Sequence, residues 1–307
     1  LSLINPFNSL NPHLKNLKTY KLKTSKPMTP HTNYHSHSLY CDGRAGMGDF
    51  VRFAISQGFT SYGFSSHAPL PFPTAWTMEW DRMDDYLAEF HRLKQQYADR
   101  IELYIGLEID YLNEDSNPAS ECFRRLPLDY RIGSVHLLYD DEGRVVDADL
   151  PADKFRQMVD EHFHGDVERV VRLYYERSMR MIELGGFDIV GHADKIHYNA
   201  SFCRPGILEE PWYDRLVRDY FAEIAHRGYQ MEINTKAYTE LGTFYPDERY
   251  FPLMRELGIR IQVNSDAHYP ERISSGMSQA MQALRRAGFT SVMGLHQGRW
   301  QEVKIDG

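Results

Sequence analysis

The stretch DVERVVRLYYERSMRMIELGGFDIVGHADK, residues 166–195, decides the fold. Asp166 to Leu184 reads as one long helix, stopped by the pair Gly185-Gly186, the residue type that ends helices most readily. A short apolar run and a polar tail with His192 follow. The same unit recurs along the chain. Residues 49–57 carry a helical pattern (Phe50, Val51, Ala54, Ile55) closed by Gly58, ahead of the strand SYGF at 61–64 and His67. Met83, Tyr86, Leu87, Phe90, Leu93 and Tyr97 share a stripe ahead of IELYIGLEIDY, 101–111. YRIGSVHLL (130–138) is a further strand. Helical patterns at 211–227, 247–257 and 275–287 precede YQMEINTKA, IRIQVNSDAH and TSVMGL.

Seven or eight strands alternating with helices argue for an α/β fold with a parallel sheet. No Gly-x-Gly-x-x-Gly follows the first strand, so a dinucleotide-binding fold has no support. A closed or distorted (β/α) barrel fits the count and the length of 307 residues, and in such barrels chemistry gathers at the C-terminal ends of the strands. Asp140 to Asp153 reads as a long polar loop.

The first 27 residues differ from the rest, with five lysines and no acid. They read as a leader or tail ahead of a natural start at Met28, leaving 28–307 as a single domain. Hydrophobic residues make up 42% and aromatics 13%, which suits a core-forming protein. The three scattered cysteines (Cys41, Cys122, Cys203) make no disulfide framework, so a reducing, cytoplasmic setting is expected. No run of about 18 apolar residues predicts a membrane span. The net charge of −8 gives little support for nucleic-acid binding. An oligomeric state is not predicted.

The metal-type residues fall in register with the strands. In NYHSHSLYCDG (33–43), His35 and His37 end the first strand on one face, and Asp42 lies in the loop after it. His67 follows the second strand, Glu108 ends the third, His136 the fourth and His192 the fifth, while Asp266 and His268 end the seventh. Nine nitrogen and oxygen donors on one rim are a costly concentration of polar groups unless something binds them, and predict a multinuclear metal site. Arg44, Lys195 and Lys236 are rim cations suited to orienting a phosphate.

HSHSLYCDG, FSSHAPLPF, GLEIDY, IGSVHLL, GHADKI, EINTKAY and NSDAH, in this order, resemble the PHP (polymerase and histidinol phosphatase) family, and more narrowly its monofunctional histidinol-phosphate phosphatases. The resemblance spans about residues 33–287. It implies a distorted (β/α)7 barrel with three divalent metals, Zn, Mn or Fe. Its first metal would take His35, His37, Glu108 and Asp266. The second would take His136 and His192 and share Glu108, and the third Asp42, His67 and His268. The implied reaction is hydrolysis of a small phosphomonoester by a metal-held hydroxide, with Asp266 or His268 assisting the leaving group. Arg44, Lys195, Lys236 and Tyr238 are the expected substrate contacts. Asp110 or Glu79 is expected to receive an ammonium, and PLPFPTAWTMEW (69–80) to form a lid. A PHP phosphoesterase acting on nucleotides is the alternative within enzymes, and a non-catalytic metal module the alternative outside them.

Overall fold

The computed structural model describes residues 32–305. The expected leader, 1–27, and Met28 lie outside them. Seven parallel strands form one sheet: β1 (Thr32–Asn33), β2 (Ser61–Phe64), β3 (Glu102–Asp110), β4 (Tyr130–Ser134), then β7 (Ile189–Val190), β8 (Gln230–Asn234) and β9 (Arg260–Asn264). Between β4 and β7 the chain adds an antiparallel ribbon, β5 (Leu137–Tyr139) with β6 (Val145–Asp147). The edge strands meet just beyond their ends at a parallel bridge, Ser36–Ala267, where the His37 amide donates to the Ala267 carbonyl at 2.9 Å. The result is a distorted (β/α)7 barrel whose seam lies between the first and last groups of metal-type residues.

The helices sit where the apolar periodicity places them. The helix Val167–Leu184 begins at Asp166, whose carboxylate accepts the Arg169 amide at 3.0 Å, and ends at Gly185 with φ +71°. Its Val170, Val171, Tyr174 and Ile182 pack into the larger core with Val217, Phe221 and Ile224 of the helix Pro211–Arg227. A second core joins Phe50, Val51 and Ala54 to Phe64, Phe90 and Leu103. Each fully buried side chain of this size contributes about 1.5–3 kcal/mol. Inside the barrel, the hydroxyl of Tyr130 lies 2.6 Å from the Tyr34 carbonyl and 2.9 Å from that of Phe64. Gly63 and Gly106 make room for this side chain, since a Cβ at Gly63 would stand 2.4 Å from its hydroxyl and one at Gly106 2.6 Å from its ring.

Two expectations are corrected. TSVMGL does not extend the barrel: β10 (Ser291–His296) pairs with β11 (Arg299–Lys304) as a hairpin. It covers the N-terminal mouth, with the Leu295 carbonyl accepting from Ser61 at 2.8 Å and the Gln297 amide donating to Glu102 at 2.8 Å. The stretch 140–153 is not a plain loop either, for it contains β6 and the start of the helix Ala152–Phe163. Asp140 folds inward at its turn and takes Arg144 (2.6 Å) and His162 (2.8 Å). No helix of the described residues is long and apolar enough to cross a membrane.

Candidate metal centre

The C-terminal strand ends bring all nine predicted donors to one place. Glu108, 1% exposed at the end of β3, is the hub. Its Oε2 lies 3.0 Å from His35 Nε2, 3.0 Å from His67 Nδ1 and 3.6 Å from His37 Nε2. Its Oε1 lies 2.8 Å from His192 Nε2 and 3.5 Å from His136 Nε2, and accepts from Ser134 at 2.7 Å. Asp266 faces His37 Nε2 at 3.0 Å and His268 Nδ1 at 3.6 Å. Asp42 faces His268 Nε2 at 3.1 Å and His67 Nε2 at 4.0 Å. His37 stands in two groups, one with His35 and Asp266, the other with Asp42, His67 and His268, while His136 and His192 group with Glu108.

Do these residues fit a divalent cation? His35 Nε2, His37 Nε2, His67 Nδ1, Glu108 Oε2 and Asp42 Oδ1 are buried and make no hydrogen bond. Several stand 3.0 Å apart, yet they aim past one another rather than along N–H···O lines. Two ligands of one ion, bonded at about 2.0–2.2 Å, fall roughly 2.8–3.6 Å apart between right-angled and tetrahedral geometry. His136 Nε2 and His192 Nε2, 3.1 Å apart, fit the same rule. The electrostatics agree. Burial pushes His37 down to about 4, with His268 adding to it, so its nitrogen is free of a proton. Burial opposes ionisation of Glu108, but His35, His67 and His136 outweigh it and hold the carboxyl well below its usual range. Burial likewise opposes charge on His136, yet Asp110 and Glu108 raise it to about 9. Burial also pushes His67 and His192 down, leaving their imidazoles neutral and able to bind an ion. The donor set therefore fits divalent metal.

Strained backbone marks two of these positions: His192 has φ +23° and Asp266 φ +48°, left-handed conformations that cost non-glycine residues about 1–3 kcal/mol. Each turns a side chain inward at a strand end.

Glu232, fully buried on β8, was not singled out by the sequence reading. It takes His35 Nδ1 at 2.9 Å and the His192 amide at 2.9 Å, and accepts from Asn234 and Asn264. It thus fixes the ring of one donor and the strained backbone of another. Its signal was the alternation of EIN, which points Glu232 and Asn234 to one face. Glu232→Gln is expected to lower metal affinity about 10–100-fold, measured by competition with a chelating dye. Unchanged affinity would remove its orienting role.

The predicted substrate contacts divide. Lys236 Nζ lies 3.3 Å from Asp266 and lines two adjoining cavities. One, about 190 Å³, is bounded by Asp42, His67, His136, His268, Trp76, Asp147 and Asp149. The other, about 270 Å³, carries the exposed Arg44 with Arg272 and Ser265. Lys195 is nearly buried, its Nζ 2.6 Å from Asp149. Tyr238 lines neither cavity: it opens the short helix Tyr238–Leu241, and its ring stacks on Phe244 at 4.5 Å. Asp110 faces His136 instead of lining either cavity: its Oδ1 accepts the His136 amide at 2.8 Å and lies 3.0 Å from His136 Nδ1. Glu79 is exposed and lines neither cavity. Within the segment 69–80, the Trp76 ring stands 4.7 Å from that of His67 and 5.7 Å from that of His136, over the donor cluster.

Known proteins resemble this chain over most of its length. The chain is 25% identical over 285 residues to a probable histidinol-phosphatase of Schizosaccharomyces pombe, covering 89% of this chain and 90% of that protein. It is 26% identical to a probable histidinol-phosphatase of Deinococcus radiodurans, covering 88% and 98%. The fold matches the crystal structure of histidinol phosphate phosphatase from Lactococcus lactis complexed with Zn, L-histidinol and phosphate (TM-score 0.69, 20% identity, 89% of this chain and 99% of that one). It also matches the crystal structure of the "putative histidinol phosphatase" from Listeria monocytogenes (TM-score 0.71, 24% identity, 81% and 99%). The PHP domain pattern matches residues 33–236, most of the barrel and seven of the nine donors, and the chain belongs to the PHP domain family.

Proposed function

We propose that this chain hydrolyses L-histidinol phosphate to L-histidinol and phosphate, using three divalent ions held by the nine strand-end donors. The observation that carries the reading is the set of buried, unpartnered donor atoms converging around Glu108 below a cavity sized for a small monoester. The relatives named histidinol-phosphatase, aligned over most of both chains, supply the substrate. His35, His37, Glu108 and Asp266 would hold one ion, Glu108, His136 and His192 a second, and Asp42, His67 and His268 a third. An imidazole-rich set with carboxylates suits Zn, Mn or Fe. When bound, such ions acidify water and offset the charge that builds on the phosphoryl oxygens.

The chain's own groups do the rest. Lys236 reaches over Asp266 and steers a phosphate oxygen, with Arg44 behind it on the neighbouring wall. Burial resists the charge on Asp266, but Lys236, His35 and His37 keep it ionised. Asp266 or His268 at this rim would pass the proton of the attacking water to the leaving alkoxide, so the step balances with no covalent phosphoenzyme. His268 holds the neighbouring position, and Trp76 shields the floor of the cavity from water.

The test is phosphate release from L-histidinol phosphate beside a panel of nucleotides and sugar phosphates, with ion content measured on the same sample. A kcat/KM at least about a hundredfold above the panel, roughly 2.7 kcal/mol of transition-state discrimination, is expected. Equal rates across the panel would make the protein a general phosphomonoesterase. Bound metal without turnover of any monoester would make it a metal-binding module.

A further inference from the structure

The ribbon β5–β6 returns the chain to the metal centre. Leu137, the residue after His136, pairs with Asp147, and the Ala148 amide donates to the His136 carbonyl at 2.7 Å. Asp147 and Asp149 are thereby placed on the wall of the 190 Å³ cavity that opens over the donors. Their situations differ. Asp149 is matched by the Lys195 ammonium at 2.6 Å. Asp147 accepts only the Asp149 amide, at 2.7 Å, and forms no ion pair among the described residues. Burial, with Asp149 beside it, pushes the carboxyl of this half-buried acid up, and the more distant charges of His136 and Lys195 offset that only in part. Every other acid lining this cavity faces a cation or a histidine.

A half-buried carboxylate on the wall of a reaction cavity is costly unless a ligand matches it. The proposed substrate carries a cation at a fixed place. The carbon bearing its ammonium is bonded to the carbon bearing the phosphate oxygen, so the two groups stand within about 4 Å. An ammonium recognised by the protein must therefore sit beside the ions. Asp147, one strand pairing from His136, occupies such a place, whereas the exposed Glu79 does not. We propose that Asp147 is the specificity-determining residue that receives the ammonium of the amino-alcohol phosphate, a role that rests on the histidinol-phosphate reading above.

The experiment compares L-histidinol phosphate with 3-(imidazol-4-yl)propyl phosphate, the same monoester without the amino group. The wild type is expected to favour the ammonium-bearing ester about a hundredfold in kcat/KM. Asp147→Asn should reduce that ratio to about threefold, mainly through KM for L-histidinol phosphate, and Asp147→Glu should restore about tenfold. A hundredfold ratio that survives in Asp147→Asn, or that Asp147→Glu loses as fully as Asp147→Asn, overturns the role of Asp147 and leaves the proposed activity standing. A wild type that hydrolyses both esters equally overturns ammonium recognition alone, whereas one that fails to hydrolyse L-histidinol phosphate overturns the activity on which it rests.

Discussion

Glu108→Gln is expected to lower kcat on L-histidinol phosphate by at least about a thousandfold, roughly 4 kcal/mol, even with divalent ions in excess. The two oxygens of this one side chain face different histidines: Oε2 serves His35, His37 and His67, and Oε1 serves His136 and His192. A carboxamide keeps the size but offers one oxygen, and its NH₂, a donor with no lone pair for an ion, takes the place of the other. The charge goes as well, from a position 1% exposed where water cannot replace it. Ion content per chain should fall with activity, because the residue joins two of the three donor groups. The barrel should survive, since Glu108 contributes its backbone to β3 whichever side chain it carries. The checks are steady-state kinetics, ion content on the purified variant, and far-UV circular dichroism. Turnover within tenfold of wild type at full ion content would contradict the bridging position.

The donors were legible because strand and barrel geometry act on short range. A residue at the end of each parallel strand reaches the same rim, so His35, His67, Glu108, His136, His192 and Asp266 could be placed together once the helix–Gly–strand unit was recognised. What stayed hidden depends on pairing that spacing does not record. Asp147 reaches the cavity only because β6 folds back on β5, with Leu137 opposite it. A signal existed in LLYDDEGRVVD, two β-type runs around a turn with Gly143 at φ +76°, but the charge of the segment argued for a loop. Glu232 lay inside a motif already quoted, yet its role follows from facing His35 across the barrel. Tyr238 shows the reverse: it was expected at the site with Lys236, but its half-buried ring stacks on Phe244 against the core and lines neither cavity. TSVMGL misled for a similar reason, since an apolar strand looks the same in a barrel as in a hairpin.

Stripping the ions should cost stability as well as turnover. An ion that binds only the folded chain adds about 4.1 kcal/mol per site at a thousandfold excess over its Kd. On a chain of this size 1 kcal/mol corresponds to roughly 2–4 °C, so chelation is expected to lower Tm by about 8–16 °C for each strongly held ion. The structural reason is the concentration of charge and unpartnered polar atoms at the strand ends. Asp266, Glu108 and Asp42 are held ionised beside one another, and His192 and Asp266 sit in strained backbone. With ions present, these costs are offset by coordination. Without them, only His35 and His136, raised by the carboxylates beside them, hold positive charge against these acids. The loss should therefore be reversed by adding back Zn, Mn or Fe, and the ion that restores both Tm and turnover identifies itself. Glu232→Gln should show a chelation-induced fall reached at a lower chelator concentration, because it weakens the grip without removing a donor. A Tm unmoved by complete chelation would mean that the barrel tolerates nine clustered donors on hydrogen bonding alone, against the unpartnered atoms at His35, His37, His67 and Glu108.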